Sequence, residues 1–285
     1  MSTNQISSSI NKRRDLPLKV ITYIVSITVA VIVLLPFVEF IKESYTGTLE
    51  ATKTRDVFVI LARYWKELKK FCASSNISGL KNSLYVSFAS TFCSIYFSAL
   101  TAYAITAYEW KLKEIFSKFI TFVMMIPSTI SMIGFYQLVW KFHLINRLYM
   151  LILPAIAAPI TVYFMRMYLQ ATFSKDLVES ARIDGAGEFM IFNQMILPLL
   201  KPAIATQAIF CFLTSWNDVF TPSIILISDA KKTLPITMTS VQSFLFMETG
   251  VPLFDTLVSI LPPLILFAIL SRHLVEGVAL GSVKY

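Results

Sequence analysis

The residues best placed to do chemistry in this chain form a grip rather than a catalytic centre. Between Ser174 and Pro198 stand Glu179, Ser180, Ala181, Asp184 and Gly185, in a polar stretch flanked by apolar sequence. Ser174 can cap a helix, and Asp176 and Glu179 place negative charge in its early turns, where the helix dipole favours it. Leu177, Val178 and Ala181 recur at helical spacing as an apolar stripe, and Gly185 suits a left-handed helix end. The helix spans about ten residues, roughly 15 Å, too short to cross a bilayer. Pro198 and Pro202 then bend the chain back toward the membrane. On these residues alone two readings stay open: a surface helix that merely closes a loop, or a contact for a protein outside the membrane.

A second polar group, Trp216, Asn217 and Asp218, sits inside an apolar run, where an ionisable side chain costs a few kcal/mol on insertion scales. These residues either line a wetted pathway or, through Asp218, pair with a neighbouring helix and fix packing. Tyr136 and Gln137 invite the same two readings. Other chemistry is excluded. Cys72, Cys93 and Cys211 form no CxxC pair, and His143 and His273 stand apart, so no metal-ligand cluster is present. There is no Gly-x-Ser-x-Gly elbow. No glycine is followed by lysine, so the chain has no phosphate-binding P-loop and hydrolyses no ATP.

The elements that position these groups follow from composition. The chain has 285 residues, 56% hydrophobic and only 15% charged, with mean hydropathy +0.67; soluble domains carry about 25% charged residues. A bilayer core of about 30 Å needs roughly 20 apolar residues. Apolar runs of that order predict an all-α polytopic protein with six transmembrane helices: 19–41, about 82–108, 116–142, 148–170, 202–226 and 256–275. Residues 1–18 are a cytoplasmic segment, 42–81 an extracytoplasmic one, 82–275 the core with the loop 174–200, and 276–285 a cytoplasmic tail. The first span is too long for a secretory signal and lacks a cleavage site, so it reads as an anchor. Lys and Arg divide almost evenly between the two sides, but the short loops place both termini in the cytoplasm. The net charge of +8 is then a membrane-protein feature, with no basic stripe for nucleic acid. Pro127, Pro154, Pro159 and Pro222 interrupt helices; Ala99, Ala102 and Ala104 permit close helix approach. Outside, Lys231, Lys232 and Glu248 are expected to be exposed, and Glu39 is interfacial.

The polar stretch resembles the signature loop of ABC-importer permease subunits: Glu-Ala-Ala, three residues, Gly, nine residues, Ile-x-Leu-Pro. Here it reads Glu179-Ser180-Ala181, Gly185 and Met195-Ile196-Leu197-Pro198, with Ser180 and Met195 as departures. Gly79-Leu-Lys-Asn-Ser-Leu-Tyr-Val, Thr101-Ala-Tyr-Ala, Leu144-Ile-Asn, Ser215-Trp-Asn-Asp and the tail from Glu276 resemble carbohydrate-uptake permeases of the maltose-system, MalG-like type. The similarity covers roughly residues 75–285.

The resemblance implies a type I ABC-importer permease bundle with no catalysis of its own. It implies a second, usually non-identical permease, two ATPase subunits that bind ATP and Mg, and an extracytoplasmic solute-binding protein that delivers a sugar. Glu179, Ser180, Ala181, Asp184 and Gly185 would couple ATPase closure to alternating access. Trp216, Asn217, Asp218, Tyr136 and Gln137 would meet sugar faces and hydroxyls, and the 228–255 loop would reach the binding protein. No cofactor or metal is expected in this chain. The alternative, an ion-coupled secondary transporter, calls for buried coupling carboxylates and an internal repeat; only Asp218 is a candidate. A membrane-bound enzyme would need a clustered nucleophile or metal set.

Overall fold

The computed structural model describes residues 19–35, 38, 65, 68–69, 71–73, 75–244 and 251–281. The expectations for residues 1–18, most of 42–81, Glu39, Glu248 and 282–285 lie outside them. The described residues form helices and connecting turns, with no strand among them. The chain divides into two units, residues 1–67 with 248–254 and residues 68–247 with 255–285. The described residues of the first include α1, Lys19–Leu35, an apolar helix with exposed side chains throughout.

The second unit is organised around α2, Ser75–Ala107, a helix of 33 residues and so about 50 Å long. Ser83, Ser87, Ser90, Ser94 and Ser98 are all buried and recur every three or four residues, giving α2 one narrow face that lets neighbours approach closely. Three later helices pack on α2: α5, Tyr149–Thr172; α8, Lys201–Trp216; and α10, Leu234–Phe244. Ser94, Thr161 and Cys211 meet where α2, α5 and α8 converge, with O···O 3.4 Å and O···S 3.3 and 3.5 Å. Ala99 and Ala102 are fully buried, whereas Ala104 faces outward.

The prolines divide the remaining helices. α3, Lys113–Met124, and α4, Ser128–Lys141, meet at 99° across Pro127, which cannot supply the next helical N–H. The stretch expected as one span over 116–142, interrupted at Pro127, is sharply bent. Pro154 lies in a 3₁₀ segment of α5, Leu153–Ile156, and Pro159 restarts the α-helix in its first turn, where a missing N–H costs nothing. The 202–226 stretch is also interrupted. α8 ends at Trp216, and α9, Phe220–Ile225, begins after Asp218, whose Oδ1 accepts from the Thr221 N–H at 3.1 Å.

Two further helices precede α8: α6, Lys175–Ile183, and α7, Glu188–Leu199, which meets α8 at 79°. The last helix is α11, Val251–Gly281, with Pro262 and Pro263 inside it. Two helices among the described residues are long and apolar enough to cross a membrane, Asn76–Ala107 and α5; counting each bent pair as one span would bring this to four. α1 and Thr256–Arg272 are shorter apolar helices.

Candidate functional site

α6 forms an elbow at one end of the second unit. Val178 and Ala181 are buried in a core shared with Ala102, Tyr103, Met165, Leu169, Phe192 and Ile196. The remainder of the expected apolar stripe divides: Leu177 is 47% exposed, and Ile183, one turn on from Glu179 and Ser180, is 86% exposed. Glu179, Ser180, Asp184 and Gly185 are exposed too. Val178 and Ala181 thus anchor the elbow, while Glu179, Ser180, Asp184 and Gly185 face away from the bundle. Ser180, the departure from alanine, satisfies its hydroxyl by donating to the Asp176 carbonyl at 2.8 Å. Ser174 occupies the cap position, but its hydroxyl makes no cap hydrogen bond. It is exposed, and water can serve the first-turn N–H groups.

The helix end is closed by a pair of reversed hydrogen bonds. Ala186 N–H donates to the Ala181 carbonyl at 2.9 Å, and Gly185 N–H to the Arg182 carbonyl at 3.0 Å, the Schellman arrangement. It needs a left-handed residue, and Gly185 has φ 84°. A Cβ there would meet nothing within 4 Å. The glycine is required by backbone conformation, with open space beyond it.

Beyond the turn, charged and aromatic side chains tie the elbow to α2. Arg182 Nε donates to Glu188 Oε1 at 2.6 Å, and the Tyr103 hydroxyl donates to Glu188 Oε2 at 3.3 Å. The Tyr108 hydroxyl also donates to Oε2, and the Arg182 guanidinium lies 5.4 Å from the centre of the Tyr108 ring. The Arg182 guanidinium, and after it the Tyr108 hydroxyl, hold the Glu188 carboxyl below the usual carboxylate range; Glu188 in turn raises Arg182. Nearby, Glu109 pairs with Lys113 at 3.1 Å and Lys175 at 3.4 Å, and these two cations, Lys113 foremost, lower its pKa. Sequence reasoning missed Tyr103, Tyr108, Arg182 and Glu188. The available signal was a pair of opposite charges flanking Gly185.

The second expected group is not one cluster. Trp216 is buried, stacked on Phe212 with ring centres 5.5 Å apart, and its indole N–H donates to the Ser259 carbonyl at 3.1 Å. Asn217 is exposed, Asp218 is half-buried at the α8–α9 break, and Tyr136 and Gln137 are exposed on α4.

At the opposite end, two quoted motifs converge on the 226–234 segment. Asn82 Nδ2 donates to the carbonyls of Ala230 and Lys232 at 3.0 and 2.9 Å. Asn146, at φ 64°, accepts the Ile227 and Ser228 N–H groups on Oδ1 at 3.3 and 3.1 Å. Lys231 and Lys232, expected to be exposed, are half-buried. Lys231 donates to the Asn146 carbonyl at 2.8 Å, and Lys232 pairs with Asp229 at 2.6 Å.

The chain belongs to the family of binding-protein-dependent transport system inner membrane components, whose pattern matches residues 94–279. It is 36% identical over 203 residues to the arabinooligosaccharides transport system permease protein AraQ of Halalkalibacterium halodurans, covering 71% of this chain and 72% of that one. To the melibiose/raffinose/stachyose import permease protein MelC of Bacillus subtilis it is 32% identical, covering 71% and 74%. To the lactose transport system permease protein LacG of Rhizobium radiobacter it is 29% identical, covering 71% and 74%. In fold it is similar to a chain of a bacterial ABC transporter involved in import of the acidic polysaccharide alginate, with a TM-score of 0.74 at 20% identity, covering 91% of this chain and 97% of that one.

Proposed function

We propose that this chain is the transmembrane permease subunit of an ATP-driven, binding-protein-dependent importer of a sugar or oligosaccharide. It works beside a second permease, two ATPase subunits that hold ATP and Mg, and an extracytoplasmic solute-binding protein; this chain holds no cofactor. The α6 elbow lies on the cytoplasmic side with both termini, and the 226–234 segment on the outer side. Family membership supports the importer role, and the relatives named for arabinooligosaccharides, lactose and melibiose/raffinose/stachyose support a carbohydrate cargo.

The observation that carries the coupling role is the division of α6. Val178 and Ala181 seat it in the bundle, while Glu179, Ser180, Ile183, Asp184 and Gly185 face outward around a turn of fixed geometry. That outward face is where an ATPase docks, with a charge from Glu179 and an apolar knob from Ile183. In the substrate path we place Asn217, Asp218, Tyr136 and Gln137 as polar contacts, and Trp216 as the buried support behind them.

The test is co-expression of the chain with its partner permease and ATPase, followed by purification of the complex. Glu179→Lys and Gly185→Asp are expected to abolish ATPase capture while the permease pair still assembles. Retention of the ATPase at native levels by both variants would falsify the docking role.

A further inference from the structure

Glu188 has a geometry that docking does not require. Its two carboxylate oxygens face two different elements. Oε1 takes the Arg182 Nε–H of α6, and Oε2 takes the hydroxyls of Tyr103, in α2, and of Tyr108, the residue that follows that helix. Tyr103 and Tyr108 also stack edge to face, with ring centres 5.6 Å apart, and Arg182 covers the Tyr108 ring. Along the chain Tyr108 and Arg182 are separated by α3, α4 and α5, yet they share one carboxylate.

The contacts of α6 itself explain why this matters. Its buried anchors are Val178 and Ala181, a valine and a methyl group, whose packing is non-directional and permits sliding. Directional hydrogen bonds on a charged acceptor fix orientation as well as distance. The helix at the far side of Glu188 is α2, the element against which α5, α8 and α10 all pack.

We propose that Arg182, Glu188 and Tyr108 form a latch that carries displacement of the α6 elbow into α2, making them positioning residues for transport coupling. The proposal rests on the docking role assigned to α6. Arg182 and Glu188 are 36% and 48% exposed, so their ion pair adds little to net stability. The latch transmits movement more than it holds the fold.

The experiment is hydrogen exchange on the full complex in nanodiscs, with and without ATP and vanadate, following peptides that cover 175–188 and 100–110. In the native complex both peptides are expected to change on nucleotide trapping. In Glu188→Gln and Tyr108→Phe the 175–188 response is expected to persist, and the 100–110 response to be lost, with an unchanged Tm. Arg182→Lys keeps the charge pair and is expected to retain both responses, whereas Arg182→Gln loses the second. A 100–110 response that persists in Glu188→Gln, or that is absent from the native complex, overturns the latch but leaves docking intact. Absence of the 175–188 response in the native complex overturns the docking role, and the latch with it.

Discussion

The Trp216 indole donates its N–H to the carbonyl of Ser259 at 3.1 Å, and Ser259 stands four residues before Pro263 in α11. Its helical partner would be the N–H that proline lacks. An apolar surrounding makes an orphaned carbonyl costly, and the indole of α8 removes that cost. We predict that Trp216→Phe, which preserves an aromatic ring against Phe212, destabilises the purified protein by about 1–3 kcal/mol, read as a lower Tm. Pro263→Ala restores the helical donor, so Trp216→Phe is expected to cost markedly less in that background. Equal penalties in the two backgrounds would show that the bond holds nothing.

Gly185 offers a prediction in which conformation and contact separate. Its φ of 84° makes alanine cost about 1–2 kcal/mol, although the added methyl meets nothing within 4 Å. Asparagine tolerates that conformation better but projects a longer side chain outward. Turn stability, read from exchange of the Ala186 N–H, is expected to fall in the order Gly, Asn, Ala. ATPase capture is expected to be weaker for Gly185→Asn than for Gly185→Ala. The reverse capture order would place the ATPase away from this turn.

Gly79 is constrained by space. A Cβ there would lie 2.7 Å from Thr237 Oγ1 and 3.1 Å from Leu234 Cα, where α2 meets the start of α10. Overpacking of this kind costs about 1–3 kcal/mol, so Gly79→Ala is expected to lower Tm. Thr237→Ala removes the nearer obstacle but not the backbone one, and is expected to rescue only part of the loss. Complete rescue would mean that the backbone contact is soft.

The charge network sets a pH expectation. Glu188 is held below the ordinary carboxylate value of about 4.3. A depressed folded-state pKa contributes stability that is fully present above the unfolded value and is lost as pH falls through the folded one. Arg182 is shifted further up, so neither partner titrates near neutrality. The 100–110 response to nucleotide is therefore expected to be flat between about pH 6 and 8. A midpoint inside that window would implicate another group.

Much of this architecture was legible because it depends on local pattern. The apolar runs located α2 and α5, Pro127 marked a break, and Glu179 through Gly185 marked a short helix with a left-handed end, whereas α10 falls in a stretch that read as an outer loop. What stayed hidden depends on residues far apart in the chain. The partners of Glu188 include Tyr103 and Tyr108, and no spacing rule links them across four intervening helices. Trp216 reads as a pathway aromatic in one dimension because its acceptor, Ser259, lies in another helix. Lys231 and Lys232 read as exposed because a basic pair in a polar loop usually is; Asn146 and Asp229 draw them in.

The open space around Gly185 bears on how such a subunit changes over time. Its backbone demand is met by hydrogen bonds internal to residues 181–186, while Glu179 and Ile183 project from the same elbow without supporting it. On the docking role proposed for α6, sequence drift at those outward positions would retune which ATPase is accepted while the fold stays as it is. On that proposal, a permease built this way would be shared among energy-supplying partners, or reassigned to a new one, by exchanging a few side chains.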